Sequence, residues 1–404
     1  MNNKSTQKLN YYLAIFLFLF LFSGCSRNPD QIDSNVISTS AIPIKTDQPI
    51  IADQDGEIDH LYTTPLPPFK AISLAWFYHA PPKGVDPQIL ADYFSFFIST
   101  HGMEAERDHL KSLGSNAPFF QYVVLNDIVE PSACNDKPSD NQVANQPGDF
   151  CAIDRLYPDW FLKTIDGQRV HDKEPYLNNW FMDPSNPDWR QFWLERMRQR
   201  ENIGWDGIFL DNLEVRPRED ELPLLNYPDN TSFQQANLDF LKLIYNEFQP
   251  KNIRVFANIL GVTNQDEWSL YLPYLDGAMI ENFAVDWESG EYLSPERWEL
   301  QMRNASATQA MGKEIILVAQ GDQDDTSRQI FALASYLLIN NGKAYFRYTN
   351  NEYDQLQMFM NYLDEPGPPL GDRYMEGGVW IRKFEHGQVI VDPYNQQAKI
   401  DFSK

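Results

Sequence analysis

The sequence predicts an α/β fold in which eight parallel strands, alternating with helices, close into a barrel. Eight short apolar segments recur between residues 71 and 348, and amphipathic helical patterns lie between most of them. Near-continuous apolar strands that alternate with helices are typical of a parallel sheet covered on both faces. The chain from about residue 70 onward is also the right size for one large (β/α)8 TIM barrel with loop insertions.

Each predicted strand is short, strongly apolar and bounded by polar residues or glycine. In chain order the strands cover 71–78, 93–99, 118–125, 206–211, 253–258, 276–282, 314–320 and 343–348. The helical patterns cover 103–114, 187–202, 231–248, 294–312 and 325–342. Two of these helices begin with a capping side chain followed by proline, at Asn186 and at Ser294. Glycines stand where three helices are expected to end: Gly114, Gly312 and Gly342.

Four segments follow from these patterns. They are a lipoprotein signal peptide over 1–24, a lipidated cysteine with a flexible tether over 25–69, the barrel over 70–376, and a short C-terminal β extension, predicted as a hairpin, over 377–404. The connection between the third and fourth strands is unusually long, at about 80 residues. We therefore expect a long insertion between the third strand and the helix after it, on the face where loops shape the binding cleft.

The N-terminal segment indicates export. Lys4 and Lys8 precede an apolar run over 11–22, which is too short for a bilayer span of roughly 20 residues but right for a secretory signal. Small residues directly before Cys25 resemble a bacterial lipobox, in which the signal is cleaved and the new N-terminal cysteine carries lipid. The alternative is an uncleaved anchor helix. Either way, we expect an exported protein tethered to a bacterial membrane, at the cell surface or on the periplasmic face.

The other two cysteines, Cys134 and Cys151, lie within the long insertion, in a stretch rich in Asn, Asp and Pro. In an oxidising compartment they predict a disulfide that orders a segment with little core of its own. The alternative is a pair of free thiols.

The charge of the chain restricts its partners. The formal net charge is -24, and such a protein is repelled by phosphate backbones and by anionic lipid surfaces. We therefore expect no nucleic-acid partner, and contact with the membrane only through the N-terminal lipid. We also expect a monomer. Aromatic residues make up 14% of the chain, so some rings are expected to stack on a ligand, although most belong to the core.

Two of the predicted strands end in matching sequences. The fourth reads DGIFLDN and ends at Asp211, and the sixth reads DGAMIEN and ends at Glu281. An acid or amide there can simply stop a strand by capping backbone N–H groups. In a (β/α)8 barrel, however, the active site lies at the C-terminal ends of the strands. Two carboxylates that converge there match the chemistry of glycosidic bond cleavage.

The stereochemistry stays open at this point. The fourth and sixth strands are two inter-strand steps apart, on the order of 10 Å at the backbone, and inward side chains shorten that gap. Both a retaining separation of roughly 5 Å and an inverting separation of roughly 7 to 9 Å remain possible.

Four segments carry a family resemblance: GWDGIFLDN, LDGAMIENF, FMDPSNPDWRQFW and GVWIRKFEHGQVIVDP. Over roughly residues 71–393 they resemble the glycoside hydrolases related to amylases and α-galactosidases, most closely hypothetical glycosyl hydrolase family fifteen and more distantly the endo-α-1,4-polygalactosaminidase type. The resemblance implies an O-glycosyl hydrolase that retains anomeric configuration, with Asp211 as nucleophile and Glu281 as acid/base. The expected substrate is a polysaccharide or oligosaccharide outside the cytoplasm.

Polar and aromatic residues at the strand ends form a cup suited to carbohydrate, although packing or capping explains each one singly as well. These candidate substrate-binding residues are Trp76, Tyr78, His79, Asn126, Asp127, Asn212, Asn258, Gln320, Asp322, Arg347 and Tyr348.

Two other functions stay open. A metal-dependent barrel hydrolase would need clustered His and carboxylate ligands, yet the chain has six His and only His79 lies at a predicted strand end. A non-catalytic surface lipoprotein could use the same cup to bind sugar without cleaving it. The favoured expectation is a glycosidase that needs no metal and no other cofactor.

Overall fold

The computed structural model describes residues 72–171, 178–201, 203–217, 223–286 and 289–402. The predicted signal peptide, Cys25 and the tether lie outside these residues. Among the described helices, none is both long enough and apolar enough to cross a membrane.

Fourteen strands and eight α-helices make up the described fold. The strands are β1 (Leu74–Phe77), β2 (Phe94–Thr100), β3 (Phe119–Val124), β4 (Asp127–Val129), β5 (Asn179–Phe181), β6 (Gly207–Glu214), β7 (Arg254–Leu260), β8 (Gly277–Ile280), β9 (Glu314–Gln320), β10 (Ala344–Thr349), β11 (Tyr374–Glu376), β12 (Val379–Phe384), β13 (Gly387–Asp392) and β14 (Gln397–Phe402). The helices are α1 (Pro87–Tyr93), α2 (Glu104–Ser112), α3 (Asp149–Leu156), α4 (Pro187–Arg198), α5 (Asn230–Phe248), α6 (Gln265–Tyr271), α7 (Pro295–Ala310) and α8 (Thr326–Ile339).

Eight of the strands form a closed parallel barrel in the order β1-β2-β3-β6-β7-β8-β9-β10, with β10 pairing back onto β1. These are the eight predicted strands, so the (β/α)8 fold class is confirmed. The five predicted helices are also present, as α2, α4, α5, α7 and α8. Helices α1, α3 and α6 were not predicted, because they are only seven or eight residues long.

The predicted helix ends follow from capping chemistry. The Asn186 side chain accepts hydrogen bonds from the first backbone N–H groups of α4, and the Ser294 side chain does so for α7. Both helices have proline in the first turn, where its missing N–H costs nothing. Gly312 follows α7 with a φ of +76°, a backbone conformation that a side chain would strain.

The shared DG sequence at the start of β6 and β8 has a structural cause. A Cβ atom on Gly207 would lie 2.2 Å from the ring of Phe120, and one on Gly277 would lie 2.1 Å from the ring of Phe256. Each glycine therefore leaves room for an aromatic ring from the neighbouring strand inside the barrel.

The aspartates that precede these glycines also have matching roles. Asp206 accepts a hydrogen bond from the backbone N–H of Phe119 at 2.9 Å, and Asp276 accepts one from Val255 at 2.8 Å. Both aspartates thus stabilise the N-terminal end of an adjacent strand.

The long connection after β3 contains the antiparallel pair β4–β5, helix α3 and the Cys134–Cys151 disulfide. The predicted insertion and disulfide are therefore confirmed. The Cα atoms of the two cysteines are 5.7 Å apart, within the usual range for a disulfide. Buried apolar residues from the insertion and from the loop after β6 form a separate small core that includes Leu162, Phe181 and Leu224.

The C-terminal residues form a four-stranded antiparallel sheet, β11–β14, where the sequence analysis predicted a hairpin over 377–404. The first of these strands, β11, begins before residue 377, at Tyr374, and is only three residues long. Three residues are too few to show an alternating strand pattern in the sequence. The buried guanidinium of Arg382 joins this sheet to α8, because it donates hydrogen bonds to the carbonyls of Leu337 and Asn340.

Candidate active site

The carboxylates at the C-terminal ends of β6 and β8 continue the inward-facing rows of the barrel core. Successive side chains of a strand point to opposite faces, so residues two apart share a face. Phe209 lies in the interior core, and Asp211 is two residues after it. Met279 also lies in that core, and Glu281 is two residues after it. Asn258 and Gln320 continue the inward rows of β7 and β9 in the same way.

One amide nitrogen joins the two carboxylates. Asn258 Nδ2 donates to Asp211 Oδ1 at 3.1 Å and to Glu281 Oε2 at 2.7 Å. Because both oxygens bind the same nitrogen, the distance between them cannot exceed the sum of these two lengths, about 5.8 Å. Asp211 and Asn258 are buried, at 4% and 1% exposed, and Glu281 is partly buried.

Three tyrosines surround the carboxylates. Tyr122 Oη donates to Asp211 Oδ2 at 2.6 Å, and Tyr353 Oη donates to Glu281 Oε1 at 2.8 Å. The ring of Tyr78 lies between these two, with ring centroids 4.6 Å from Tyr122 and 5.2 Å from Tyr353. Burial, together with the nearby carboxylates, raises the pKa of all three phenols well above 10, so they are neutral at ordinary pH.

The two carboxyl groups differ in how strongly their charge is supported. Burial raises the pKa of Asp211, and donors from Tyr122, Asn258 and the backbone N–H of Asn212 oppose that rise. Burial and the negative charge of Asp211 raise the pKa of Glu281 to about 7, against which only Tyr353 and Asn258 act. Asp211 is therefore the group that ionises more easily, and Glu281 the group that holds a proton near neutral pH.

The backbone around the site is strained at three non-glycine residues. Tyr78, Asn212 and Tyr353 have φ angles of 67°, 58° and 58°, which cost of order 1–3 kcal/mol each. At Asn212 the strain accompanies a bulge in the pairing of β6 with β7, between Leu210 and Leu213. The bulge directs the Asn212 side chain to Asp127, to which its Nδ2 donates at 3.1 Å.

Three of the predicted binding residues lie in the network around the carboxylates. Asn258 contacts both carboxyl groups, Tyr78 packs between the two tyrosines that donate to them, and Gln320 Nε2 donates to Tyr353 Oη at 2.7 Å. Asn212 contacts Asp211 through its backbone N–H, which donates to Oδ1 at 2.9 Å. Asp127 is one step removed, since it accepts from the Asn212 side chain.

The structure does not bring Trp76, Arg347 or His79 to the carboxylates. Trp76 lies between the core residues of β1 on the opposite face, and it packs against the guanidinium of Arg347 with 4.0 Å between that group and the ring. Arg347 is buried and donates to the carbonyl of Gln355. The ring of His79 hydrogen-bonds the carbonyl of Glu352 at 3.1 Å. All three side chains contact other residues of the protein. They therefore have the packing role that was the alternative to substrate binding.

Asn126, Asp322 and Tyr348 are likewise held by neighbouring segments. Asn126 Nδ2 donates to Asn237 of α5 at 2.6 Å. Asp322 is exposed, and its carbonyl accepts a hydrogen bond from Tyr348 Oη. Tyr348 stands on the outward face of β10, so its hydroxyl meets the start of α8 rather than the barrel interior.

Two residues of the site were missed by the sequence analysis. Tyr122 lies on the inward face of β3, two residues from Phe120, and its position in an alternating row could have identified it. Tyr353 lies in the loop after β10, and no pattern of the sequence signals that its ring folds back over the barrel.

Within the described residues, no group of three or more His, Cys, Asp or Glu side chains is arranged to hold a metal ion.

Comparison with known proteins identifies a family. The profile of hypothetical glycosyl hydrolase family 15 matches residues 131–388. No curated protein gives a significant match. Among solved structures, the glycoside hydrolase domain of PelA from Pseudomonas aeruginosa is 17% identical with a TM-score of 0.48, covering 71% of this chain and 98% of that one.

Two further solved structures are similar in fold. Ega3 from Aspergillus fumigatus, in complex with galactosamine, is 12% identical with a TM-score of 0.43 and covers 71% of this chain and 94% of that one. Isomaltulose synthase SmuA from Protaminobacter rubrum is 14% identical with a TM-score of 0.44 and covers 68% and 64%.

Proposed function

Because the chain belongs to hypothetical glycosyl hydrolase family 15, and is therefore a glycosidase, we propose that Asp211 and Glu281 cleave its glycan with retention of anomeric configuration. Asp211 acts as nucleophile and Glu281 as acid/base. The observation that carries this proposal is the amide of Asn258, which hydrogen-bonds both carboxylates and limits the gap between the bound oxygens to about 5.8 Å.

The short gap favours retention over inversion. Retaining glycosidases hold their two carboxyl groups about 5–5.5 Å apart, whereas inverting enzymes need about 6.5–9.5 Å to admit a water molecule between carboxylate and sugar. The oxygen-to-oxygen limit of about 5.8 Å is nearer the retaining separation than the inverting one, which supports retention.

The protonation states fit the two roles. In the first step Asp211 must be ionised to attack the anomeric carbon, while Glu281 gives a proton to the departing oxygen. In the second step Glu281, now ionised, takes a proton from the water that attacks the glycosyl-enzyme bond and frees Asp211. A pKa of about 7 on Glu281 suits a group that must alternate between both states near neutral pH.

We infer further that the reaction takes place outside the cytoplasm, on a protein anchored through lipid at Cys25. The basic residues and apolar run before Cys25 support export, and the Cys134–Cys151 disulfide suits an oxidising compartment.

The test is hydrolysis of a panel of glycans by the wild type and by Asp211→Asn and Glu281→Gln. Both variants should lose turnover by about three orders of magnitude or more without loss of fold, because neither changes side-chain size much. Glu281→Gln should be less impaired on substrates with good leaving groups, which need little protonation. Near-wild-type activity in either variant would refute the assignment.

The chain offers matched controls at the opposite ends of the same strands. Asp206→Asn and Asp276→Asn change the first acid of each DG sequence, which caps a neighbouring strand and lies away from the site. Both controls should keep turnover. The anomer that NMR detects first in the released product tests retention, and early appearance of the inverted anomer would overturn it.

A further inference from the structure

A hydrogen-bonded chain of three side chains leads from Glu281 to Gln320. Gln320 Nε2 donates to Tyr353 Oη at 2.7 Å, and Tyr353 Oη donates to Glu281 Oε1 at 2.8 Å. Gln320 and Tyr353 are 3% and 4% exposed. The carbonyl oxygen of Gln320 is buried and has no hydrogen-bond partner among the described residues.

This arrangement suits only the ionised form of Glu281. Each of its oxygens accepts a hydrogen bond, one from Tyr353 and one from Asn258. The acid role proposed above also requires a neutral Glu281, whose hydroxyl needs an acceptor until substrate arrives. Without one, a donor in a partly buried site would stay unpaired, which disfavours the neutral form.

We propose that Tyr353 and Gln320 form a reversible hydrogen-bond relay that supports Glu281 in both protonation states. When Glu281 is ionised, Tyr353 donates to it and Gln320 Nε2 donates to Tyr353. When Glu281 is neutral, its hydroxyl donates to Tyr353 Oη, and the tyrosine hydroxyl turns to donate to the carbonyl oxygen of Gln320, which a half-turn of the amide brings into place. A tyrosine hydroxyl can both donate and accept, so no other group has to move.

The relay conserves its protons. The proton that Glu281 gives to the departing oxygen in the first step is replaced from water in the second, and the phenol and amide only reorient their own hydrogens. Tyr353 and Gln320 are therefore positioning residues, and the relay rests on the acid/base role proposed for Glu281.

Packing fixes the oxygen of the relay while leaving its hydrogen free to turn. The Tyr353 ring packs against Phe77 and Tyr78, with centroid separations of 6.2 and 5.2 Å, and its backbone is held at a φ of 58°. In either amide orientation, Gln320 makes one hydrogen bond to Tyr353 and leaves its other polar atom unpaired. In the orientation described, the unpaired atom is the carbonyl oxygen. The two orientations therefore differ little in free energy.

The decisive variant is Gln320→Met, which can neither donate to Tyr353 nor accept from it. Tyr353 then loses one hydrogen bond in each state. The ionised form is left with an unpaired phenol lone pair, whereas the neutral form is left with an unpaired hydroxyl donor, which costs more, so the ionised form is favoured. The relay predicts that the titration of Glu281 moves down by about 0.5 to 1 pH unit. If Gln320 only strengthens donation by Tyr353, losing it leaves the titration unchanged or moves it up, and either result overturns the relay.

The titration can be followed without substrate. Infrared difference spectra record the neutral carboxyl band of Glu281, which is assigned by its loss in Glu281→Gln. In the Tyr353→Phe background, Gln320→Met should no longer lower the titration midpoint; a downward shift of the same size there would contradict the relay.

A second measurement uses the wild type and needs no variant at position 320. The C–O stretch of Tyr353, assigned by its loss in Tyr353→Phe, should change as Glu281 titrates, because the hydroxyl exchanges one acceptor for another. A band that stays constant across the titration overturns the relay. Failure of the proposed function appears differently, as a wild type that cleaves no glycan or a Glu281→Gln variant that remains active.

Discussion

The shared amide of Asn258 predicts how the reaction responds to pH when that amide is removed. Asn258→Leu keeps the size of the side chain but removes the donor at 3.1 Å to Asp211 and the donor at 2.7 Å to Glu281. A hydrogen bond to a charged group is worth about 1.5–3 kcal/mol, and 1.36 kcal/mol corresponds to one pKa unit. Each carboxyl pKa should therefore rise by about 1 to 2 units.

The direction of the effect follows from the proposed roles. Asp211 must be ionised, so a rise in its pKa moves the acidic limb of the kcat/KM profile to higher pH. Glu281 must be protonated, so a rise in its pKa from about 7 moves the basic limb to higher pH as well. The whole bell-shaped profile should shift upward in pH, and its maximum should fall because the carboxylates lose a shared anchor.

The assay is kcat/KM measured from about pH 4 to pH 10 on a glycan that the wild type cleaves. The matched control is Tyr122→Phe, which removes a 2.6 Å donor to Asp211 and none to Glu281. This control should move the acidic limb alone. An Asn258→Leu profile with both limbs at their wild-type positions would refute the reasoning, as would a Tyr122→Phe profile shifted only on its basic side.

Three further predictions concern stability and anchoring. Burial raises the folded-state pKa of Glu281 from 4.5 to about 7, so ionisation of Glu281 destabilises the fold as pH rises through that window. Glu281→Gln should therefore be more stable than the wild type by about 1–3 kcal/mol at pH 8 but not at pH 4. Thermal unfolding at both pH values checks this. The Cys134→Ser, Cys151→Ser double variant should raise KM more than it lowers Tm, because the disulfide lies in the insertion, outside the strand pairing that closes the barrel. A large loss of Tm with unchanged KM would show a purely structural loop. Cys25→Ser should release the protein from membranes or stop its processing, and fractionation that still finds a mature membrane-bound product would contradict lipid anchoring.

The barrel could be predicted from the sequence because each of its strands is a separate apolar segment with clear boundaries. The side of each strand was harder to assign, because β1 is apolar on both faces and both faces of β10 contain aromatic residues. Trp76 and Tyr348 stand at strand ends, as predicted, but they lie on the outward rows. In a strand buried on both faces, hydrophobicity does not distinguish the two rows, so position along the strand is not enough.

The acids were easier to assign than the binding residues because Gly207 and Gly277 mark the inward rows. Each glycine faces an aromatic ring inside the barrel, and residues two and four positions later share that face. Counting four positions from Gly207 reaches Asp211, and the same count from Gly277 reaches Glu281. The repeated DG sequence therefore contains the information that both acids point inward.

Tyr353 could not be found by counting positions along a strand. It lies in a loop, outside any strand, and its left-handed backbone is unusual for a residue with a large side chain. Its ring enters the core only because the loop after β10 folds back over β1, a tertiary contact with no local signal.

The barrel strands hold the two carboxyl groups at their separation, whereas a loop residue affects the pKa of one of them. Asp211 and Asn258 lie on neighbouring barrel strands, and Glu281 directly follows β8, so hydrogen bonds across the sheet determine the separation of the carboxyl groups. Tyr353 comes from a loop and acts on Glu281 alone. A change in that loop should therefore alter the pH at which Glu281 exchanges its proton while the gap between the carboxylates, and with it the stereochemical outcome, stays the same.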